Sequence, residues 1–67
     1  MERWNSSAAT FQEDTRIDGF IEDIINTCRK WGLSISHEDV QGAFIVEAFN
    51  EASNDWLREA SIGRSVA

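Results

Sequence analysis

The stretch that decides the fold is residues 15–31, TRIDGFIEDIINTCRKW. Its apolar residues recur at intervals of three and four, which places them on one continuous face of a helix. That face consists of Ile17, Phe20, Ile21, Ile24, Ile25, Cys28 and Trp31. Asp14 or Thr15 can cap the start of the helix, and Gly32 is suited to end it. The pattern predicts a helix over 15–31 whose apolar face belongs to the core.

The stretch after this helix predicts a β-hairpin. Residues 33–36, LSIS, alternate between apolar and polar as a half-buried strand does. Residues 42–47, GAFIVE, form a short apolar run with β-branched members, and the segment between the two runs, HEDVQ, is mostly polar and typical of a turn. We therefore expect strands at 33–37 and 42–48.

A helical alternative exists for the same stretch. Residues 36–39, SHED, also resemble the start of a helix. The apolar face of that helix would continue through Ile45, Phe49, Ala52 and Trp56. The result would be an all-α helical hairpin. Gly42 and the β-branched pair Ile45-Val46 are unfavourable inside a helix, so the β-hairpin is the preferred prediction.

A second helix is predicted over 50–61, and it completes an α+β fold. The two helices would pack on the hairpin in a small α-β-β-α domain. Residues 1–13 lack periodicity and are expected to be a flexible N-terminal arm, residues 14–63 the single domain, and residues 64–67 a frayed C-terminus. The expected core comprises Ile17, Phe20, Ile21, Ile24, Ile25, Cys28, Trp31, Leu33, Ile35, Phe44, Val46, Trp56 and Leu57.

The composition limits how a chain of 67 residues can be stabilised and where it works. One Cys and one His exclude an internal disulfide and a site with several metal ligands of those types, so we expect no cofactor or metal. Close packing or self-association into a homodimer remains as the source of stability. No apolar run suggests a secretory leader or a membrane span, and a lone Cys suits a reducing compartment, so an intracellular location is expected.

The net charge of −6 indicates the kind of partner. An acidic chain is poorly suited to bind nucleic acid directly, whereas a protein with a basic surface complements it. The predicted partner-binding residues are Asp14, Asp18 and Glu22 on the first helix, Glu38 and Asp39 in the turn, and Glu51, Asp55 and Glu59 on the second helix. Each helical set has the spacing i, i+4, i+8 and forms a row along one edge. The alternative is an acidic face whose only role is solubility.

Catalytic chemistry has little support in the sequence. The run His37-Glu38-Asp39 is the one cluster that resembles an active site, but the preferred interpretation is a polar turn in which Asp39 bonds to backbone amides. Cys28 lies within the apolar face of the first helix, which favours a core residue over a nucleophile. We therefore expect no catalytic residues and no enzyme.

Three segments carry a resemblance to a known group of proteins. They are residues 28–39, CRKWGLSISHED, residues 42–47, GAFIVE, and residues 55–57, DWL. Over roughly residues 16–60 the chain resembles a family of small, mostly uncharacterised acidic proteins encoded by phages. Where the family pattern has a second His before the glycine, this chain has Gln41, which argues against a site built from two imidazoles. The resemblance implies a phage or prophage origin and a location in the cytoplasm of a bacterial host.

The phage resemblance and the charge together suggest an inhibitor of a host protein. Such a protein would act in defence evasion or host takeover, as anti-CRISPR proteins do, and its carboxylates could mimic the phosphates of nucleic acid. One alternative is a sponge for a signalling nucleotide, with a cationic pocket built from Arg29, Lys30 and His37 at a dimer interface. A structural or assembly component is the other alternative.

Overall fold

The structure, a computed structural model, describes residues 1–66 and contains two helices and two antiparallel hairpins. In chain order the elements are β1 (Glu2–Asn5), β2 (Thr10–Glu13), α1 (Thr15–Trp31), β3 (Leu33–His37), β4 (Phe44–Ala48) and α2 (Glu51–Arg58). The predicted α+β class is confirmed, and the all-α alternative is wrong. Strand β4 begins two residues later than predicted, and α2 ends at Arg58 instead of residue 61.

Helix α1 has both of the end signals that the sequence contains. The side chain of Asp14 accepts hydrogen bonds from the backbone amides of Arg16 (3.0 Å) and Ile17 (3.1 Å), which satisfies two donors of the first turn. Gly32 has a φ of 69°, in the left-handed region, and its amide donates to the carbonyl of Cys28. These two caps fix the point at which the chain leaves the helix and enters β3.

Strand β3 is the centre of the domain. Both helices pack against it and against each other, whereas β4 pairs with β3 and reaches α2 through the side chain of Glu47. The β3–β4 ladder pairs Leu33 with Ala48, Ile35 with Val46 and His37 with Phe44. Both helices and β4 therefore meet at β3.

The core is smaller than the sequence predicts. Its buried apolar side chains are Ile21, Ile25, Cys28 and Ile62, and Ile62 is absent from the predicted set. Ile17, Ile24, Ile35 and Leu57 are half-buried. The prediction of core positions was wrong for Phe20, Trp31, Leu33, Phe44, Val46 and Trp56, which are exposed. The apolar face of α1 is wider than the surface that β3 and the eight-residue α2 can cover, and no further described element covers the rest.

Residues 1–13, expected to be a flexible arm, form the β1–β2 hairpin. Arg3, only 3% exposed, joins this hairpin to α1 and to the segment after α2. Its Nη1 donates to the carbonyls of Arg58 (2.6 Å) and Ala60 (2.9 Å). The amide of Ile62 donates to the carbonyl of Trp4 (2.8 Å), so β1 and the segment around Ile62 meet in one place.

The C-terminus was expected to fray over residues 64–67. Residues 64–66 form no helix or strand, and Ala67 lies outside the described residues.

Candidate functional site

The two acidic rows predicted from the sequence lie next to each other and are joined by Arg58. Its Nε donates to Glu22 of α1 at 3.0 Å, and its Nη1 donates to Asp55 of α2 at 3.1 Å. The hydrogen bond to Glu22, with a smaller effect from Asp55, raises the pKa of the Arg58 guanidinium. The charges of Glu22 and Asp55 are therefore partly compensated within the chain.

The rest of the α1 row has structural roles. The Asp18 carboxylate accepts from Nε (3.0 Å) and Nη2 (2.7 Å) of Arg3, and also from the amino group of Met1 (3.2 Å). The bond with Arg3 is the main cause that holds the pKa of Asp18 below its ordinary value. Asp14 caps the helix. The α1 row consequently offers less free carboxylate to a partner than its spacing suggests.

The turn between β3 and β4 is ordered by its own acidic residues. The Glu38 carboxylate accepts from the backbone amides of Val40 (2.6 Å) and Gln41 (2.7 Å). Asp39 contacts Nδ1 of His37 and is otherwise exposed. The polar-turn interpretation assigned the bonds with backbone amides to Asp39, whereas Glu38 makes them and so stabilises the turn. Asp39 is the member of the pair with most of its surface in solvent.

Trp56 is the large apolar side chain that α2 presents to solvent, at 44% exposure. Its ring lies 6.0 Å from the ring of His37, measured between centroids. A shallow depression on one side of Trp56 is lined by His37 and Glu47, and a second depression is lined by Glu59. We call the surface formed by Trp56, His37, Asp39, Glu47 and Glu59 the Trp56 surface.

Glu47 gives this surface a carboxylate with a fixed position. Its Oε1 accepts from Nδ2 of Asn50 (3.0 Å) and from the hydroxyl of Ser53 (2.9 Å). Asn50 is itself held by capping α2, where its side chain accepts from the amide of Ser53 (2.8 Å). Both bonds to Glu47 use Oε1, so Oε2 can accept a hydrogen bond from a ligand.

Sequence reasoning identified only part of the Trp56 surface. Asp39 and Glu59 belong to the predicted partner-binding set, whereas Glu47 was not singled out and Trp56 was assigned to the core. Glu51, also predicted, is exposed on the same helix and accepts from Nδ2 of Asn54 (3.3 Å). No local sequence pattern identifies Glu47, because its carboxylate is held in position by Asn50 and Ser53, at the start of the following helix.

An aromatic ring bordered by carboxylates is suited to bind a cation. A guanidinium or ammonium group over the face of Trp gains roughly 0.5–2 kcal/mol, depending on how far it is desolvated. Arg is also the cation that best combines stacking with bidentate hydrogen bonds to a carboxylate. The Trp56 surface can therefore take a basic side chain of another protein.

The cations proposed for a nucleotide pocket are not brought together within one copy of the chain. Arg29 donates to Asn26 and lies over the ring of Phe49, and Lys30 lies over the ring of Trp31. His37 is at the other end of β3, and a strand of this length separates its ends by roughly 13 Å. These three residues form no common site in the described part of the chain.

Residues 1–66 contain no group of three or more His, Cys, Asp or Glu side chains that could hold a metal ion. Cys28 is a free thiol buried in the core, on the face of α1 where the sequence predicts it. Neither helix in this range has the length and apolar character needed to cross a membrane.

Comparison with known proteins gives no match, whether to family models, to curated proteins or to solved structures.

Proposed function

We propose that this protein is a small acidic inhibitor of the phage-encoded type, which binds a basic surface of a bacterial host protein. The observation that carries the proposal is the Trp56 surface, where an exposed aromatic ring lies beside the fixed carboxylate of Glu47. The role is one of binding and needs no cofactor. In the cytoplasm of the host, such a protein would serve defence evasion or host takeover.

The contact that we propose is local and involves a basic side chain of the target. An Arg of the host protein stacks on the ring of Trp56 and donates to Oε2 of Glu47. Glu59 lines the depression on the other side of the ring and can receive a second cation. Trp and Arg are both enriched among the residues that dominate binding energy at interfaces.

The remaining acidic residues would act at longer range. The chain carries a net charge of −6, which attracts a basic partner and speeds its association. A host surface that normally binds nucleic acid is the natural target, because carboxylates can occupy the places of phosphates there. Anti-CRISPR proteins that act as nucleic-acid mimics provide the model for this role.

The test is affinity capture from a bacterial lysate followed by measurement of the captured protein's affinity at increasing salt. We expect the affinity to fall steeply with ionic strength. Trp56→Ala and Glu59→Lys should each weaken binding by about thirtyfold, the equivalent of a loss of about 2 kcal/mol.

Matched controls separate the Trp56 surface from general effects of charge and aromatic content. Asp23→Lys makes the same change of charge on α1, so it should weaken binding only through the lost long-range attraction and far less than Glu59→Lys does. Trp31→Ala removes another exposed indole and should bind as the unaltered protein does. Equal losses in the control variants, or an affinity that does not respond to salt, would contradict the proposal.

A further inference from the structure

We propose that two copies of this chain associate through one flank of α1, with the two helices antiparallel about a two-fold axis. The surface involved carries no charged side chain, and we call it the dimer face. It consists of Phe20, Ile24, Thr27 and Trp31 of α1 and of Leu33, Ile35 and Val46 of the adjoining hairpin. Phe44 is left out because it pairs with His37 of the Trp56 surface. The inference goes beyond the proposed inhibitor function and does not depend on it.

The part of the dimer face on α1 has the spacing of a seam between two helices. Phe20, Ile24, Thr27 and Trp31 follow one another at intervals of four, three and four, so they line up along one side of the helix. Phe20 is 63% exposed and Trp31 68%, so the other described elements leave both ends of this seam largely uncovered. The hydroxyl of Thr27 donates to the carbonyl of Asp23 at 3.1 Å, so burial of Thr27 leaves no hydroxyl proton without an acceptor.

The seam is complementary to itself when the two helices are antiparallel. With the two-fold axis at its midpoint, Phe20 lies level with Trp31 of the second copy, and Ile24 lies level with Thr27. The symmetry repeats both contacts on the other side of the axis. Two aromatic pairs therefore enclose an aliphatic centre, and such pairs stabilise an interface beyond the area that they bury.

Two shallow depressions along the seam can receive the rings of the second copy. One has a volume of about 190 Å³ and is lined by Trp31, Leu33 and Val46, and the other has about 340 Å³ and is lined by Phe20 and Ile35. Antiparallel pairing brings Phe20 of the second copy to the smaller depression and its Trp31 to the larger one. The larger ring thus meets the larger depression, and the hairpin residues that line the depressions are covered together with the helix.

Two charged residues border the seam, and their signs favour a second copy as the partner. Asp23 and Lys30 lie along one edge of α1, and neither has an ion-pair partner among the described residues. In the antiparallel pair, Lys30 of the second copy lies about 3 Å along the helix axis from Asp23, a distance that its four-carbon chain can span. A parallel pair would place Asp23 level with Asp23, so the charges select the antiparallel arrangement.

The area of the dimer face matches that of a weak, reversible dimer. A fully exposed aromatic side chain presents roughly 150–250 Å², and at the observed exposures the seven residues of the dimer face present about 550 Å². Two copies would bury about 1100 Å², just above the area of about 1000 Å² expected of a biological interface. The net charge of −6 on each copy opposes association and so limits its strength.

Sedimentation equilibrium over about 1 µM to 1 mM tests the proposal, and we expect a monomer–dimer equilibrium in this range. Asp23→Lys and Lys30→Glu should each weaken the dimer about tenfold, because each places like charges opposite one another at two symmetric positions. The double variant reverses both ion pairs and should restore the dimer to within about threefold of the original. A general effect of charge predicts otherwise, since Asp23→Lys lowers the net negative charge and would strengthen association.

Removal of a ring tests the apolar part of the contact. Trp31→Ala should weaken the dimer at least about tenfold, because both contacts between Phe20 and Trp31 are lost. Phe11→Ala is the matched control, since Phe11 is 62% exposed on β2, outside the dimer face, and it should leave the dimer unchanged. Urea denaturation of the dilute variants checks that each monomer is folded, and the charge variants, made at exposed positions, decide the outcome if Trp31→Ala is not.

A carbodiimide, which joins a carboxylate directly to an amine in contact with it, identifies the surface that is used. Mass spectrometry of the covalent dimer should find Asp23 joined to Lys30 of the second copy, because within one helix the two residues are about 10 Å apart. A monomer at about 1 mM, a dimer strengthened by Asp23→Lys, a double variant no stronger than the single ones, or an equal loss in Phe11→Ala and Trp31→Ala would each overturn the proposal.

Discussion

Replacing Arg3 by Met removes a buried cation from the point where the N-terminal hairpin meets the rest of the chain. The guanidinium donates from Nη1 to the carbonyls of Arg58 at 2.6 Å and Ala60 at 2.9 Å. Hydrogen bonds from a charged donor contribute about 1.5 kcal/mol each, so the loss of both should lower the free energy of unfolding by about 3 kcal/mol. The bond to Asp18 is left out of this sum because water still reaches that carboxylate.

The expected loss is large for a chain of this size. The total stability of a 67-residue domain is about 3–10 kcal/mol, and a loss of 3 kcal/mol should lower the melting temperature by about 10–25 °C. Urea denaturation at one fixed protein concentration measures the change, and Arg64→Met, made at an exposed Arg, is the matched control. A loss below about 1 kcal/mol, or one no larger than in the control, would refute the role assigned to Arg3.

Two further predictions concern the core and the response to acid. Ile62→Ala should lower the free energy of unfolding in urea by about 2–4 kcal/mol, because the side chain is buried. Val66→Ala, in the same segment but at an exposed position, should lower it by less than about 1 kcal/mol. Equal losses in the two variants would contradict the assignment of Ile62 to the core. Asp18 has a pKa below its ordinary value of 3.8, so its contribution to stability is fully present above that pH and is lost as the pH falls through the lower folded value. Asp18→Asn should therefore make the stability less steeply dependent on pH below 3.8 in urea titrations across that range, and an unchanged slope relative to Asp23→Asn would contradict the assignment.

The elements with local signals could be predicted from the sequence. Asp14 and Gly32 mark the ends of α1 because capping depends on residues within one turn of the helix. Gly42, with a φ of 73°, and the β-branched pair Ile45-Val46 correctly favoured a hairpin over a helix. In each case the interaction that decides the structure lies within a few residues of the signal.

The N-terminal hairpin had no such signal. Strands β1 and β2 have four residues each and read ERWN and TFQE, which is too short and too polar to show alternation. What fixes the hairpin is the contact of Arg3 with Asp18, Arg58 and Ala60, at sequence separations of 15, 55 and 57 residues. Periodicity depends on residues that are close in sequence, so it does not reveal contacts between segments that are far apart in the chain.

The candidate site could be predicted only in part, because it too depends on contacts between residues that are distant in sequence. The spacing of Asp14, Asp18 and Glu22 correctly places them on one helix, but whether their charge is free depends on Arg3 and Arg58, which arrive from other elements. Periodicity likewise assigns Trp56 to the apolar face of α2, but it does not show how much of that face other elements will cover. Exposure of its ring follows from the small area of the sheet.

The contacts of Arg3 and Ile62 also have a consequence for the order in which the molecule assembles. The contacts among α1, β3, β4 and α2 include those of elements that follow one another along the chain, so their loops close at small entropic cost. The contacts of β1 with residues 58–62 close a loop of more than fifty residues and should form last, after the folding transition state. Substitutions that weaken the contacts of Arg3 and Ile62 should therefore accelerate unfolding and leave the folding rate almost unchanged. These contacts thus determine the lifetime of the folded state.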